Sequence, residues 1–193
     1  METGQYLDRI LAKYAGSFDI STDYVLQGNV YSAYGYFFSM GEKYVLTHKA
    51  RLWAIRAYEY VLFQETTVLT ESLLNRICDT LTGYVEEAFV RKGEKYPEKD
   101  HMYSYLSAVI ICSQSPSDEL IRKIRKTRFD KGYLFSFRGH SELHLVVVDL
   151  EKEAVYTNAA AKKTRSVFLK AFEEIRRGEK GYRELYTDGQ EEQ

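Results

Sequence analysis

Proline is almost missing from this chain: Pro97 and Pro116 are the two in 193 residues. Stiff proline-rich spacers between separately folded parts are thereby excluded. Cysteine is as scarce. Cys78 and Cys112 each sit in an apolar run with no C-x-x-C spacing, which excludes a disulfide framework and predicts two core thiols in a reducing compartment. Neither sign of charge dominates, 27 Lys and Arg standing against 28 Asp and Glu for a formal net charge of −1. The protein as a whole is therefore not drawn to nucleic acid or to an anionic membrane; only a local patch can be. No apolar run approaches the ~20 residues of a membrane span. The opening METGQYLDRI has no basic segment leading into an apolar one. The expectations are no membrane and a cytoplasmic location.

What is present suffices for a core: hydrophobic residues make up 45% of the chain and charged residues 28%. Tyr6, Leu7, Ile10, Leu11 and Tyr14 recur at helical spacing before Gly16, which predicts a helix over 4–15. Segments rich in aromatic and β-branched residues predict strands at 23–27, 30–40, 43–48 and 52–64, with a tight turn at Gly41-Glu42. An apolar stripe from Leu69 to Phe89 through Leu73, Leu74, Ile77, Leu81 and Val85 predicts a long helix, capped by Thr67 or Thr70. The charged run RKGEKYPEKD (91–100) then breaks the pattern. Beyond it, 102–113 reads as a central strand, apolar on both faces in its second half. Ser115, Pro116 and Asp118 open a helix running to about Phe129. Strands at 132–139, 142–150 and 154–158 follow, and then a helix over 164–177.

The expected fold is α+β, a mostly antiparallel sheet covered by about four helices. It divides into a first half, 1–90, and a second half, 101–187, packed together as one compact unit. GYFFSMGEKYVL (35–46) and GYLFSFRGHSEL (132–143) share a register, so the halves are expected to repeat a strand-hairpin-helix plan.

The stretch YSAYGYFFSMGEKY (31–44) carries six aromatic rings. Alternation at period two makes them cross-strand core pairs. A stacking platform would want Arg and Lys on the same face, and 31–41 has neither.

The motifs of chemistry mostly fail. Neither G-x-x-x-x-G-K-[ST] nor G-x-G-x-x-G occurs. GHSEL (139–143) approaches a nucleophile elbow around Ser141, but Leu143 stands where glycine is needed. His140 and His144 would share a metal on a helix; on a strand they are roughly 13 Å apart. Asp149 and Glu151 at a strand end, beside Lys152, miss a nuclease-like acid-x-lysine pattern by one residue. No catalytic residue, metal or cofactor is assigned.

Charge gives the clearest feature. Arg122, Lys123, Arg125, Lys126 and Arg128 crowd one helix opposite its apolar stripe. They are either a solvated surface favoured near a helix C-terminus or a docking site for an anionic partner, nucleic acid or acidic protein.

Three segments, EKYVLTHKARLWA (42–54), HMYSYLSAVII (101–111) and VVVDLEKEAVYTN (146–158), resemble parts of an uncharacterised family of bacterial conserved hypothetical proteins. The likeness spans most of the chain. It implies a bacterial, cytosolic protein and no particular activity. The leading expectation is a non-catalytic binding protein using the basic helix, with association between copies left open. The alternative is a metal-dependent hydrolase or nuclease using Asp149, Glu151 and neighbouring histidines, which requires Asp149, His144 and His101 to converge.

Overall fold

The computed structural model describes residues 1–44 and 51–186, with side chains throughout except at 42–44 and 51–55. In chain order the elements are α1 (Thr3–Tyr14), β1 (Asp19–Leu26), β2 (Asn29–Tyr44), β3 (Arg51–Thr66) and α2 (Glu71–Asp79). A π-helix (Thr80–Val90) continues α2 without a break. Then come β4 (His101–Cys112), α3 (Asp118–Lys126), β5 (Asp130–Gly132), β6 (His140–Asp149) and β7 (Ala154–Thr157). A 3-10 turn (Ala160–Thr164), α4 (Arg165–Arg176) and α5 (Tyr182–Tyr186) finish the chain.

The seven strands among the described residues join one sheet, ordered β1-β2-β3-β4-β6-β5, with β7 also on β6. It is α+β and mostly antiparallel, as expected, but mixed: β3–β4 and β4–β6 are parallel, and the other pairings are antiparallel. Parallel neighbours need a crossover. The α2–π segment supplies the first, and α3 lies on the second. Two cores result. On the first face Leu62, Ala108, Ile110, Leu145 and Val147 meet Leu74, Ile77, Leu81 and Val85, with Leu120 and Ile124 of α3. On the second face Val61, Phe63, Val109, Ile111, Val146 and Val148 meet Tyr6 and Ile10 of α1 and Phe168 and Phe172 of α4. Each such side chain contributes about 1.5–3 kcal/mol when fully buried. The Tyr6 hydroxyl donates to the Phe168 carbonyl at 2.6 Å and ties α1 to α4.

Caps fix the starts of α2 and α3. The Thr70 hydroxyl accepts the Leu73 N–H at 3.2 Å, and Ser117, not Ser115, accepts the Leu120 N–H at 3.2 Å. α3 ends at Lys126 because Thr127 turns to extended backbone, which leaves Arg128 beyond the helix.

Two expectations need correction. Gly41-Glu42 is not a turn: β2 runs through it, pairing Gly41 with Ile55 and Glu42 with Ala54. The expected strand at 43–48 falls largely outside the described residues. Of the expected strand at 132–139 only Gly132 is in a strand, as the end of β5. Leu134, Phe135 and Ser136 are left-handed, with φ of 50°, 53° and 65°, a conformation no strand accepts. The cause is Tyr133, whose buried hydroxyl bonds Glu86 and Ser141 at 2.7 Å each. The loop then closes through the Tyr133 N–H to the Gly139 carbonyl at 2.9 Å. At Gly139 (φ 72°) a Cβ would lie 2.1 Å from the Met102 carbonyl oxygen. The segments that looked repeated, 35–46 and 132–143, thus begin as a strand and as a left-handed loop.

Candidate functional site

The residues singled out in the sequence disperse. On α3, Lys123 pairs with Glu71 at 2.5 Å and the Arg125 guanidinium lies 6.0 Å from the Tyr156 ring centre. Arg122, Lys126 and Arg128 are exposed, and no ion pair engages them among the described residues.

Asp149 is fully buried. It accepts from the Ser115 hydroxyl at 3.1 Å, the Lys152 N–H at 3.0 Å and the Tyr156 hydroxyl at 3.4 Å. Glu151 accepts the Ser115 N–H at 2.8 Å, and the Ser115 backbone and hydroxyl hold its carboxyl below the usual value. Together they staple a turn.

His101 lies at the far end of β4 from Cys112, which pairs with Asp149; eleven strand steps are roughly 36 Å. Its ring bonds the Arg138 carbonyl oxygen at 2.7 Å and the Ser104 hydroxyl at 2.8 Å. Burial holds it below the ordinary histidine value. His144 stands beside Ser107 in mid-sheet, one residue out of phase with Asp149 along β6 and so on the other face. The convergence needed by the hydrolase reading does not occur. Among the described residues no group of three His, Cys, Asp or Glu is placed to hold a metal. Ser141 is buried against Tyr133.

A different site forms where the helices thin out on the first face. β2 and β3 pair so that Tyr36 opposes Tyr60 and Phe38 opposes Tyr58. These rings, with Ala88 and Phe89 of the π-helix, line an open cleft of about 420 Å³ whose remaining walls are Arg56, Lys92 and Glu98. Ring centres are 5.6 Å apart for Tyr36–Tyr60, 5.1 Å for Phe38–Tyr58 and 5.8 Å for Tyr60–Phe89. Tyr58 and Tyr60 are nearly parallel at 9°. Tyr58 and Tyr60 are buried, whereas Phe38 is 45% exposed. The rings are therefore cross-strand pairs, as expected, and one wall of them opens to solvent.

Polar groups gather at the mouth. Glu98 accepts from the Tyr58 hydroxyl at 2.5 Å and from the Arg56 guanidinium. The Lys92 ammonium stands 3.9 Å from it. Burial works to raise the Glu98 carboxyl, but the Tyr58 hydroxyl, Lys92 and Arg56 together hold it below the usual value. Burial, then Glu98, raises the Tyr58 phenol. Burial raises Tyr60 too. The phenols thus stay neutral, and their faces are available for stacking. The Arg56 Nε is buried without a partner.

Part of this was in the sequence. The sequence puts Tyr36 and Phe38 on one face of their strand and Tyr58 and Tyr60 on one face of theirs; that these strands pair directly comes from the structure. The basic residues come from β3 and from the loop after the π-helix, not from 31–41. Nothing in the charged run 91–100 marks Lys92 and Glu98 apart from their neighbours.

A family model described as a domain of unknown function, DUF8052, matches residues 2–170. No curated protein and no solved structure matches the chain. The matched stretch holds every cleft residue, all of α3 and the entire sheet, so the chain belongs to the DUF8052 family.

Proposed function

We propose that this chain is a non-catalytic binding protein whose aromatic cleft receives one flat ring. The observation that carries the reading is the wall of Tyr36, Phe38, Tyr58, Tyr60 and Phe89 around an open space of about 420 Å³, the lower range of small-ligand pockets. Stacking a flat ring on aromatic side chains contributes about 1–3 kcal/mol. A cytoplasmic setting belongs to the proposal. It is supported by two unpaired thiols that burial pushes up to about 11 at Cys78 and about 12 at Cys112, inert groups in a reducing compartment.

The test is titration of the full chain with indole and adenosine, followed by NMR. Binding at millimolar concentration or tighter is expected, weakened about fivefold by Phe38→Ala, a loss of ~1 kcal/mol. No binding, or binding indifferent to Phe38→Ala, removes the reading.

A second surface has its own observation. Arg122, Lys126 and Arg128 are exposed and without ion pairs among the described residues, so α3 and the residues just past it form a docking patch for an anionic partner, nucleic acid or acidic protein. Such binding falls steeply with salt. Reversing all three to glutamate should abolish binding of short RNA and DNA probes at low salt without lowering Tm.

A further inference from the structure

We infer that Lys92 makes the cleft select a flat ring that carries an anionic group, a class that includes nucleoside monophosphates and aromatic carboxylates. The inference rests on the ring-binding reading of the cleft.

The first argument is the charge count at the mouth. Of the two cations and one carboxylate lining the cleft, Glu98 is the most occupied. One oxygen takes the Tyr58 hydroxyl and the other takes Arg56. Glu98 therefore has little capacity left for a ligand cation. Lys92 is at 3.9 Å from Glu98, an ion pair without a hydrogen bond. Its side chain is 69% exposed, free to swing onto an incoming anion. Burial, then Asp19 of β1, raises the Tyr36 phenol, but Asp19 does not line the cleft. The lining thus keeps one positive charge unspent.

The second argument is independent of charge. Lys92 sits at φ 54°, and Gly93 follows at φ 77°. Two successive left-handed residues end the helical segment, and the glycine meets that geometry at no steric cost. A lysine does not, because its Cβ crowds the following carbonyl. A side chain is being held at a position where glycine would be easier, and it stands at the mouth of an aromatic cleft. Strain kept at a site mouth points to a use for the side chain.

The test uses three near-isosteric rings that differ in charge: indole-3-acetate, indole-3-acetamide and tryptamine, titrated against the full chain at low salt. Indole-3-acetate is expected to bind at least about fivefold tighter than the amide, and tryptamine weakest. AMP should exceed adenosine in the same way. Lys92→Gly should erase the preference and raise Tm, since the strain is relieved. Lys92→Gln should erase the preference without that rise. If all three rings bind equally, or tryptamine binds best, the inference falls while the ring-binding reading stands. If none binds, the reading itself falls. A Lys92→Gly variant that keeps the preference also overturns the role of Lys92.

Discussion

The two faces of the sheet treat their half-covered ends in opposite ways. On the first face Glu86 and Glu98 have cations. Glu86, buried from the π-helix, takes Arg91 at 2.8 Å, Lys131 at 2.9 Å and the Tyr133 hydroxyl at 2.7 Å, and Glu98 takes Arg56. On the second face the register sets Phe37, Glu59, Tyr105 and Glu142 in a row across β2, β3, β4 and β6. There Glu59 accepts only the Ser107 hydroxyl, at 2.6 Å, and Glu142 bonds His144 at 3.2 Å. Neither has a lysine or arginine partner among the described residues. Burial accordingly pushes the Glu59 carboxyl above its ordinary value, against the pull of Ser107 and His144. Three interactions outweigh desolvation at Glu86, whose carboxyl is held below the usual value despite its burial. Burial alone does not fix the sign of a carboxylate shift; the number of donors that reach it does.

The largest expected effect breaks the compensated side. Glu86→Leu should cost about 3–5 kcal/mol in denaturant titration, because it strands a mostly buried guanidinium and a buried phenol. It should also loosen the loop from Tyr133 to Gly139, which hydrogen exchange would report. A loss below about 1 kcal/mol would mean that Arg91 and Lys131 reach water unaided, and the contrast between the faces would be empty.

The next effect is smaller and lies in pH. Glu86, Glu98 and Glu174 have carboxyls held below the unfolded value. Burial works against each, while Arg91, Lys131 and Tyr133 bond Glu86, Tyr58 and nearby Lys92 and Arg56 act on Glu98, and Lys13 and Arg9 bond Glu174. Their contribution is complete above the usual carboxylate range and is lost as the pH falls through it. Glu59 runs the other way. Its folded value is raised, so the folded state keeps the proton longer. Its contribution is fullest below the unfolded value and declines as the pH rises through the raised one. Stability should therefore rise from pH 3 to about 5, where the three lowered carboxyls complete their contribution, and then dip as Glu59 loses its proton, by urea midpoints at half-unit steps. A rise to a plateau with no such dip would place Glu59 with its compensated counterparts.

How much of this was legible follows from which signals are local. The helix stripes at Tyr6–Leu11 and Leu74–Val85, the central strand 102–113 and the aromatic alternation of 31–40 are patterns within short windows, and each has its element in the structure. Strand direction is not local. β4 reads the same whether its neighbours are parallel or not, and only the crossover through 67–100 decides. The loop after Gly132 escaped for a related reason: GYLFSFRG alternates like a strand, but Tyr133 is pulled inward by Glu86, 47 residues away. Glu98 and Lys92 looked like solvated charges because the rings they serve come from β2 and β3. On α3, Lys123 meets Glu71 and Arg125 meets the Tyr156 ring, partners that spacing along one helix does not reveal.

The smallest effect isolates Glu59. Replacing it by glutamine keeps an oxygen to accept the Ser107 hydroxyl and removes the charge whose desolvation is uncompensated. Glu59→Gln should therefore change stability by less than about 1 kcal/mol at pH 7, and in the direction of a gain. The gain should vanish near pH 4, where Glu59 of the parent protein is itself protonated. Tyr105 gives an internal check. Burial first, then Tyr103, Glu142 and Glu59, raise its phenol, so the variant's Tyr105 should ionise at lower pH than the parent's, read by ultraviolet titration against Tyr105→Phe. A destabilised Glu59→Gln protein would instead mean that the Glu59 charge is stabilised where it stands, and that the second face holds a cation-like partner for it as surely as the first face holds Arg91 for Glu86.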